Sequence, residues 1–185
     1  MCWGDGSPAR ERQRAARCRI GPCPSQLTVP PTRPSARQMI GKMTGGCLCG
    51  TVRFELQSAP FDAGWCHCRT CQLNSGSPAM AFASVKSGDW VARQGAEAIR
   101  TVTSSAFGHR GFCGTCGTPL YMKVDHQPET VDFSIATLDE PGTVVPGFHI
   151  FWGSRVPWFG PGDDLPRYEK FRPDTRGLGG TEPPG

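Results

Sequence analysis

The sequence predicts an all-β protein that binds zinc, and three observations support this fold class. Glycine and proline are abundant, with 24 and 18 residues in a chain of 185, which indicates many turns and few long helices. Short runs containing valine, phenylalanine and tryptophan alternate apolar and polar residues, a pattern typical of half-buried strands. Seven cysteines between positions 47 and 116 occur in three groups at zinc-ligand spacing. The length suffices for one domain with its own core.

The alternating segments give a predicted order of elements along the chain. The first is 51–56, where Val52, Phe54 and Leu56 alternate with polar residues. The next strand is expected to carry both Cys66 and Cys68, and 69–77 is expected to form one short turn of helix and a loop. The other predicted strands are 79–85, 99–103, 107–112, 118–124, 131–138 and 148–152, followed by an aromatic turn at 157–161.

Both ends of the chain differ in composition from the middle. Residues 1–43 are rich in arginine and proline and lack apolar periodicity, so we expect a disordered leader that cannot bury enough surface to fold. The alternatives are a targeting peptide, a basic arm, or translation from upstream of the usual start, since Met43 directly precedes the predicted domain. The domain is predicted to span 44–172, and 173–185 is expected to be a disordered tail.

The formal net charge of +4 is unevenly distributed. Residues 1–42 contain eight Lys/Arg and two acidic residues, whereas residues 43–185 contain twelve and fourteen. The predicted domain is therefore slightly acidic and gives no electrostatic argument for nucleic-acid binding. The sequence has no apolar run long enough to span a membrane and no signal peptide with an apolar core. We therefore expect a cytoplasmic protein with reduced thiols.

The seven cysteines form the patterns C-x-C, C-x-C-x-x-C and C-x-x-C. They divide most naturally into four ligands for one zinc ion and three for another. Spacing alone leaves the assignment of the pairs open. The simplest division keeps the local group on one ion, namely Cys66, Cys68 and Cys71. The second ion would then take the other four, namely Cys47, Cys49, Cys113 and Cys116. That ion would join segments more than sixty residues apart, so its binding energy would contribute to folding.

Two alternatives concern residues in and near these groups. A C-x-x-C pair can be a redox motif, but thioredoxin-like motifs accompany a βαβ pattern, which this sequence lacks. His67 could be a ligand or a base, yet on a strand it would face away from a metal bound by its two neighbours, which favours a structural role beside the site. The other histidines are isolated in the sequence and are expected to be ordinary surface or core residues, namely His109, His126 and His149.

A zinc ion with three thiolate ligands and an open fourth position predicts a particular chemistry. It carries one net negative charge and is a weaker Lewis acid than zinc on three neutral histidines, so activation of water for hydrolysis is disfavoured. An external thiol that took the open position would be deprotonated and would remain nucleophilic. Transfer of a thiolate to an electrophile is therefore favoured. In the alternative hypothesis, a histidine or a carboxylate closes the site and the ion is structural.

Three cysteine segments carry a resemblance to a known family. They are Gly45-Gly46-Cys47-Leu48-Cys49-Gly50, Cys66-His67-Cys68 with Cys71, and Phe112-Cys113-Gly114-Thr115-Cys116-Gly117-Thr118-Pro119-Leu120. Together with the later segments 136–139 and 154–158, they resemble the glutathione-dependent formaldehyde-activating enzyme family, also called the centromere-protein-V family. The resemblance covers roughly Thr44 to Tyr168, and the leader has no counterpart in it.

The resemblance implies a β-tent fold of small antiparallel sheets held by two zinc ions per chain. It implies a carbon–sulfur lyase that joins glutathione and formaldehyde to give S-hydroxymethylglutathione, so the partners are a glutathione-like thiol and a small aldehyde. All seven cysteine positions match the family pattern. The structural zinc would lie on Cys47, Cys49, Cys113 and Cys116. The catalytic zinc would lie on Cys66, Cys68 and Cys71.

Residues outside the cysteine groups have weaker assignments. Arg69 and the loop Asn74-Ser75-Gly76-Ser77 could contact the carboxylates of an anionic thiol, with a solvated loop as the alternative. Trp158 could form a wall of the site, or it could serve in packing. The rival function for the whole chain is a non-catalytic interaction module in which both zinc ions are structural.

Overall fold

The structure, a computed structural model, describes residues 42–173. Within this range there are ten strands and one α-helix in two sheets. The expectations of a disordered leader and a disordered tail concern residues 1–43 and 173–185, of which 1–41 and 174–185 lie outside the described residues. Met43, which was assigned to the leader, lies in the first strand.

The elements follow in chain order with short connections. They are β1 Met43–Gly46, β2 Arg53–Leu56, β3 Phe61–Cys66, α1 Arg69–Ser75, β4 Met80–Lys86, β5 Trp90–Gln94, β6 Ile99–Ser105, β7 Gly108–Cys113, β8 Pro119–Val124, β9 Thr130–Ser134 and β10 His149–Ile150. The all-β prediction is confirmed for the described part of the chain. Among residues 42–173, every helix falls short of the length and apolar character that crossing a bilayer requires.

The strands form a small sheet and a large sheet. The small sheet has the order β1-β2-β5, and the large sheet has the order β10-β3-β4-β9-β8-β7-β6. Neighbouring strands are antiparallel, except that β10 lies parallel to β3. The parallel pairing of β10 with β3 is possible because the chain between them, 67–148, passes through α1 and β4 to β9 and is much longer than the crossover that parallel strands need.

The main core lies between the two sheets. Phe54 of β2 is 1% exposed, stacks on Trp90 of β5 at 4.9 Å, and meets the ring of Phe133 of β9 at 6.4 Å. On β4, Ala83 and Val85 are fully buried in this core. Because side chains alternate across a strand, the other face of β4 points away from the main core, and this face carries the functional site.

Several predicted elements differ from the structure. The prediction that one strand carries both Cys66 and Cys68 is wrong, since β3 ends at Cys66 and Cys68 is the N-cap of α1. The predicted strand 131–138 ends at Ser134, where a 3₁₀ turn begins. The predicted strand 148–152 is reduced to the two residues of β10. Strands β1 and β5 were not predicted.

Candidate metal centres and cavity

Four of the predicted zinc ligands meet between the two sheets. Cys47 and Cys49 lie in the turn after β1, Cys113 ends β7, and Cys116 lies in the turn that follows. Their four Sγ atoms all lie within 4.8 Å of one another, and the Cys47–Cys49 and Cys49–Cys113 separations are 3.5 Å and 3.9 Å. Tetrahedral zinc with bonds of about 2.3 Å places sulfurs about 3.8 Å apart. The four thiols therefore fit a closed zinc site.

Two glycine-closed turns shape this four-thiol cluster. Gly50 and Gly117 both have φ +76°, a conformation that side chains disfavour. Gly50 N donates to Cys47 O at 3.0 Å, and Gly117 N donates to Cys113 O at 2.8 Å. The turns are joined directly, because Leu48 N donates to Thr118 Oγ1 at 3.1 Å. The backbone therefore holds the two cysteine pairs opposite each other.

The other three predicted ligands form a second cluster at the junction of β3 and α1. The Sγ atoms of Cys66, Cys68 and Cys71 lie within 4.8 Å of one another, and no fourth His, Cys, Asp or Glu of residues 42–173 belongs to this group. Cys71 N donates to Cys68 Sγ at 3.4 Å, which caps the helix. The three-thiol cluster could hold a metal ion and would leave one tetrahedral position without a ligand from the described residues.

The thiols of this cluster differ in pKa. Hydrogen bonds from the Cys66 and Cys71 thiols lower the pKa of Cys68 to about 3. Hydrogen bonding to Cys68 and Cys71, together with burial, raises the pKa of Cys66 well above its ordinary value. Three neighbouring sulfurs cannot all ionise without a compensating cation. The donor set thus fits a divalent metal, which deprotonates the thiols that it binds.

Arg110 of β7 is a site residue that sequence analysis missed. Its guanidinium is buried, with the residue 4% exposed, and Nη2 donates to Cys71 Sγ at 3.3 Å while Nε donates to Ser104 Oγ at 3.1 Å. A buried cation beside sulfur favours the thiolate form. Arg110 therefore offsets part of the negative charge that three thiolates would bring to this side of the sheet.

The three-thiol cluster opens onto a cavity of about 480 Å³ on the outer face of the large sheet. Cys66, Cys68 and Cys71 line it at one end. Its walls are mostly apolar and include six phenylalanines, namely Phe61, Phe82, Phe107, Phe148, Phe151 and Phe171. A cavity of this size is typical of a small-molecule site. The cluster is thus accessible to a ligand, whereas the four-thiol cluster has the number of ligands that closes a zinc site.

The residues proposed from sequence as wall or carboxylate contacts lie elsewhere. Arg69, 74–77 and Trp158 are not part of the cavity lining. Arg69 donates to Gln72 Oε1 at 3.2 Å within its own helix, and Trp158 is 75% exposed. For Arg69 and 74–77 these positions agree with the alternative of a solvated loop. Trp158 is largely exposed and neither lines the cavity nor belongs to the buried core.

Two buried histidines tie the three-thiol segment to the C-terminal part of the domain. His67 Nε2 and His149 Nδ1 are 2.8 Å apart, and His149 Nε2 lies 3.1 Å from Asp163 Oδ1. Both imidazoles are almost fully buried, and burial lowers the pKa of His67 to about 4. His149 is isolated in the sequence and was expected to be a surface or core residue; it is a core residue, and the fold brings it to His67 across 82 positions. Because His149 Nε2 faces a carboxylate, we assign a proton to Nε2, and its Nδ1 then accepts from His67 Nε2.

We expect His149→Phe to destabilise the domain by about 1–3 kcal/mol, since it leaves the buried His67 Nε2 without its acceptor. Phenylalanine can retain the ring contact with Trp152 at 5.3 Å, so the loss of the hydrogen bonds is the main change. Denaturant unfolding measures the effect. Asp163→Asn is the matched control, because an amide oxygen can still accept from His149 and the cost should be smaller. Equal stabilities for His149→Phe and the unaltered protein would contradict this role.

Comparisons with known proteins identify one matching family model and several similar proteins. The family model described as glutathione-dependent formaldehyde-activating enzyme matches residues 42–154. The chain is similar to an uncharacterized lyase of Schizosaccharomyces pombe, with 35% identity over 78 residues that make up 42% of this chain and 55% of the relative. It is similar to a Halomonas elongata protein whose name marks it as a candidate glutathione-dependent formaldehyde-activating enzyme, with 30% identity over 105 residues, 52% of this chain and 66% of the relative.

Both alignments span less than two thirds of the relative's length. Among solved structures, the chain is similar to a crystal structure of a Rhodobacter sphaeroides protein. The sequence identity is 22% and the TM-score is 0.45, with 68% of this chain and 99% of that chain covered.

Proposed function

Because the chain belongs to the glutathione-dependent formaldehyde-activating enzyme family, we propose that it is a zinc-dependent carbon–sulfur lyase that adds a thiol such as glutathione to an aldehyde. The family resemblance predicted from the cysteine segments is thereby confirmed. The observation that carries the proposed activity is the three-thiol cluster, which lacks a fourth ligand among residues 42–173 and opens onto a cavity. Reduced thiols are kept in the cytoplasm, which supports a cytoplasmic location.

The two clusters would have different roles. Cys47, Cys49, Cys113 and Cys116 would hold a structural zinc with four thiolates, whereas Cys66, Cys68 and Cys71 would hold the zinc used in the reaction. Bound at the three thiols, zinc would supply a Lewis-acidic open position that lowers the pKa of an incoming thiol. This chemistry fits thiol addition better than hydrolysis, since three thiolates weaken zinc as a Lewis acid.

The chain's own residues would orient and stabilise the reacting groups. The thiol sulfur attacks the carbonyl carbon, a C–S bond forms, and the electrons of the C=O double bond pass to the oxygen, which takes up a proton. Arg110 already donates to Cys71 at the thiol end of the cavity, where its buried charge would stabilise the negative charge that develops on the oxygen. The apolar walls would exclude water from this step.

Cobalt substitution tests for the open position. On adding glutathione to the cobalt-loaded protein, we expect sulfur-to-cobalt charge-transfer absorption to increase and to saturate at one equivalent. S-methylglutathione is the matched control, because it lacks the free thiol and should leave the spectrum unchanged. An unchanged spectrum with glutathione itself would favour the rival function, an interaction module with two structural zinc ions.

A further inference from the structure

The cavity at the three-thiol cluster is more apolar than glutathione and a one-carbon aldehyde together require. Glutathione is anionic and formaldehyde has two heavy atoms, whereas the cavity of about 480 Å³ has a mostly apolar wall to which six phenylalanines contribute. Phe82 and Phe148 meet edge to face at 6.1 Å within this wall. Burial of apolar ligand surface stabilises a complex in proportion to its area. The wall therefore favours a ligand with a substantial apolar body.

The register of the large sheet gives the cavity its length. Cys66 is paired with Met80 near one end of β4, and Ser84 is paired with Asp132 further along the same strand. Met80, Phe82 and Ser84 share one face of β4, and all three line the cavity. Four residues of strand correspond to about 13 Å at about 3.3 Å per residue. The cavity thus extends along β4 from the thiols to the Ser84–Asp132 pair.

The end of the cavity far from the thiols is polar. Ser84 Oγ donates to Asp132 Oδ1 at 2.6 Å, and both residues line the cavity. Burial raises the pKa of Asp132 to about 6, with the hydrogen bond from Ser84 and the charge of Arg110 opposing this shift and the charge of Asp62 adding to it. A carboxylate offers about four lone-pair positions, so Asp132 retains acceptor capacity after its bond with Ser84.

We propose that the aldehyde substrate is elongated and mostly apolar, and that it carries a hydrogen-bond donor such as a hydroxyl group at the end opposite the carbonyl. This inference rests on the thiol–aldehyde addition proposed above. The carbonyl lies at the three-thiol cluster, the apolar body lies along Phe82, and the distal hydroxyl donates to Asp132. The reaction is balanced without an oxidant: the thiol loses a proton, the C–S bond forms, and the carbonyl oxygen gains a proton to become a hydroxyl group.

Three aldehydes test the inference with glutathione as the thiol. They are formaldehyde, 3-phenylpropanal and 3-(4-hydroxyphenyl)propanal, and the rate of exchange between free aldehyde and adduct is measured by NMR. We expect kcat/KM to be at least tenfold higher for 3-phenylpropanal than for formaldehyde, and several-fold higher again for the hydroxylated compound. Addition to formaldehyde that equals or exceeds addition to both aryl aldehydes would overturn the inference and leave the proposed function intact. Absence of reaction with all three would contradict the proposed function, and the inferred substrate with it.

A double variant tests the polar end. Ser84→Ala with Asp132→Leu removes both hydrogen-bonding partners, so neither is left buried and unsatisfied. We expect the preference for the hydroxylated aldehyde over 3-phenylpropanal to fall to about one. Calorimetric binding of the unreactive alcohol 3-(4-hydroxyphenyl)propan-1-ol should weaken in parallel, a readout independent of turnover. Lys86→Gln is the control, because Lys86 lies on β4 but outside the cavity lining. A preference that survives the double variant would overturn the assignment of the polar end.

Discussion

Cys113→Ser is expected to destabilise the domain by several kcal/mol and to leave most of the chain unfolded at 37 °C. Cys113 is fully buried in the main core and is one of four thiols that join the turn after β1 to the end of β7. In our proposal these thiols hold a structural zinc, and such zinc contributes about 10–16 kcal/mol of binding energy to folding in small zinc domains. A typical domain has only about 5–15 kcal/mol of net stability. The binding energy that is lost with one ligand is therefore large relative to the net stability of the domain.

Zinc content per chain, circular dichroism and thermal unfolding would measure this effect. Cys23→Ser is the matched control, since Cys23 lies outside the three cysteine groups of the sequence. A Cys113→Ser protein that keeps two zinc ions and a normal unfolding midpoint would show that the four-thiol cluster does not support the fold.

The sequence predicted most strands because apolar and polar residues alternate along a half-buried strand. Val131 and Phe133 point into the main core, and this spacing alone identifies β9. Strand β5 escaped prediction because its five residues, Trp90–Gln94, are all partly or largely exposed. It lies in the small sheet through antiparallel pairing with β2, beside the ring contact between Trp90 and Phe54, and both are contacts that only the tertiary structure provides.

The same alternation explains why the polar residues of the cavity were missed. Arg110 and Asp132 occupy polar positions on strands that also supply core residues, Cys113 on β7 and Val131 and Phe133 on β9. From sequence, such positions cannot be distinguished from ordinary solvent-facing ones. What changes their role is the C-terminal segment, which brings Phe148, Phe151 and Phe171 over this face of the sheet to complete the cavity wall.

The cysteine groups, by contrast, were apparent from the sequence because metal spacing is local. The structure brings the seven thiols together as four and three, which is the simplest division. The cysteine spacing did not predict that Cys68 lies at the N-cap of α1 rather than on β3. Its backbone is extended, with φ −64° and ψ 150°, which suits a strand and a helix N-cap equally well. The hydrogen bond from Cys71 N to its sulfur distinguishes the two.

Cys68→Ser is expected to abolish thiol-dependent activity and to reduce zinc to one ion per chain, while the fold stays near native. Serine is a favoured N-cap residue, so its hydroxyl can accept from Cys71 N in place of the Cys68 sulfur. The cluster itself is local, with its three ligands drawn from the end of β3 and the start of α1. Its loss therefore removes a site without separating the two sheets.

The contrast between the two serine variants tests the division of roles between the clusters. Metal analysis, circular dichroism and the NMR exchange assay would be applied to Cys68→Ser and Cys113→Ser side by side. We expect one zinc ion, a native spectrum and no catalysed exchange for Cys68→Ser, against gross unfolding for Cys113→Ser. The cobalt-loaded Cys68→Ser protein should also give no spectral response to glutathione, because the three-thiol cluster would no longer hold its metal. Equal destabilisation by the two substitutions, or a Cys68→Ser protein that remains active, would contradict a reactive set of three thiols beside a structural set of four.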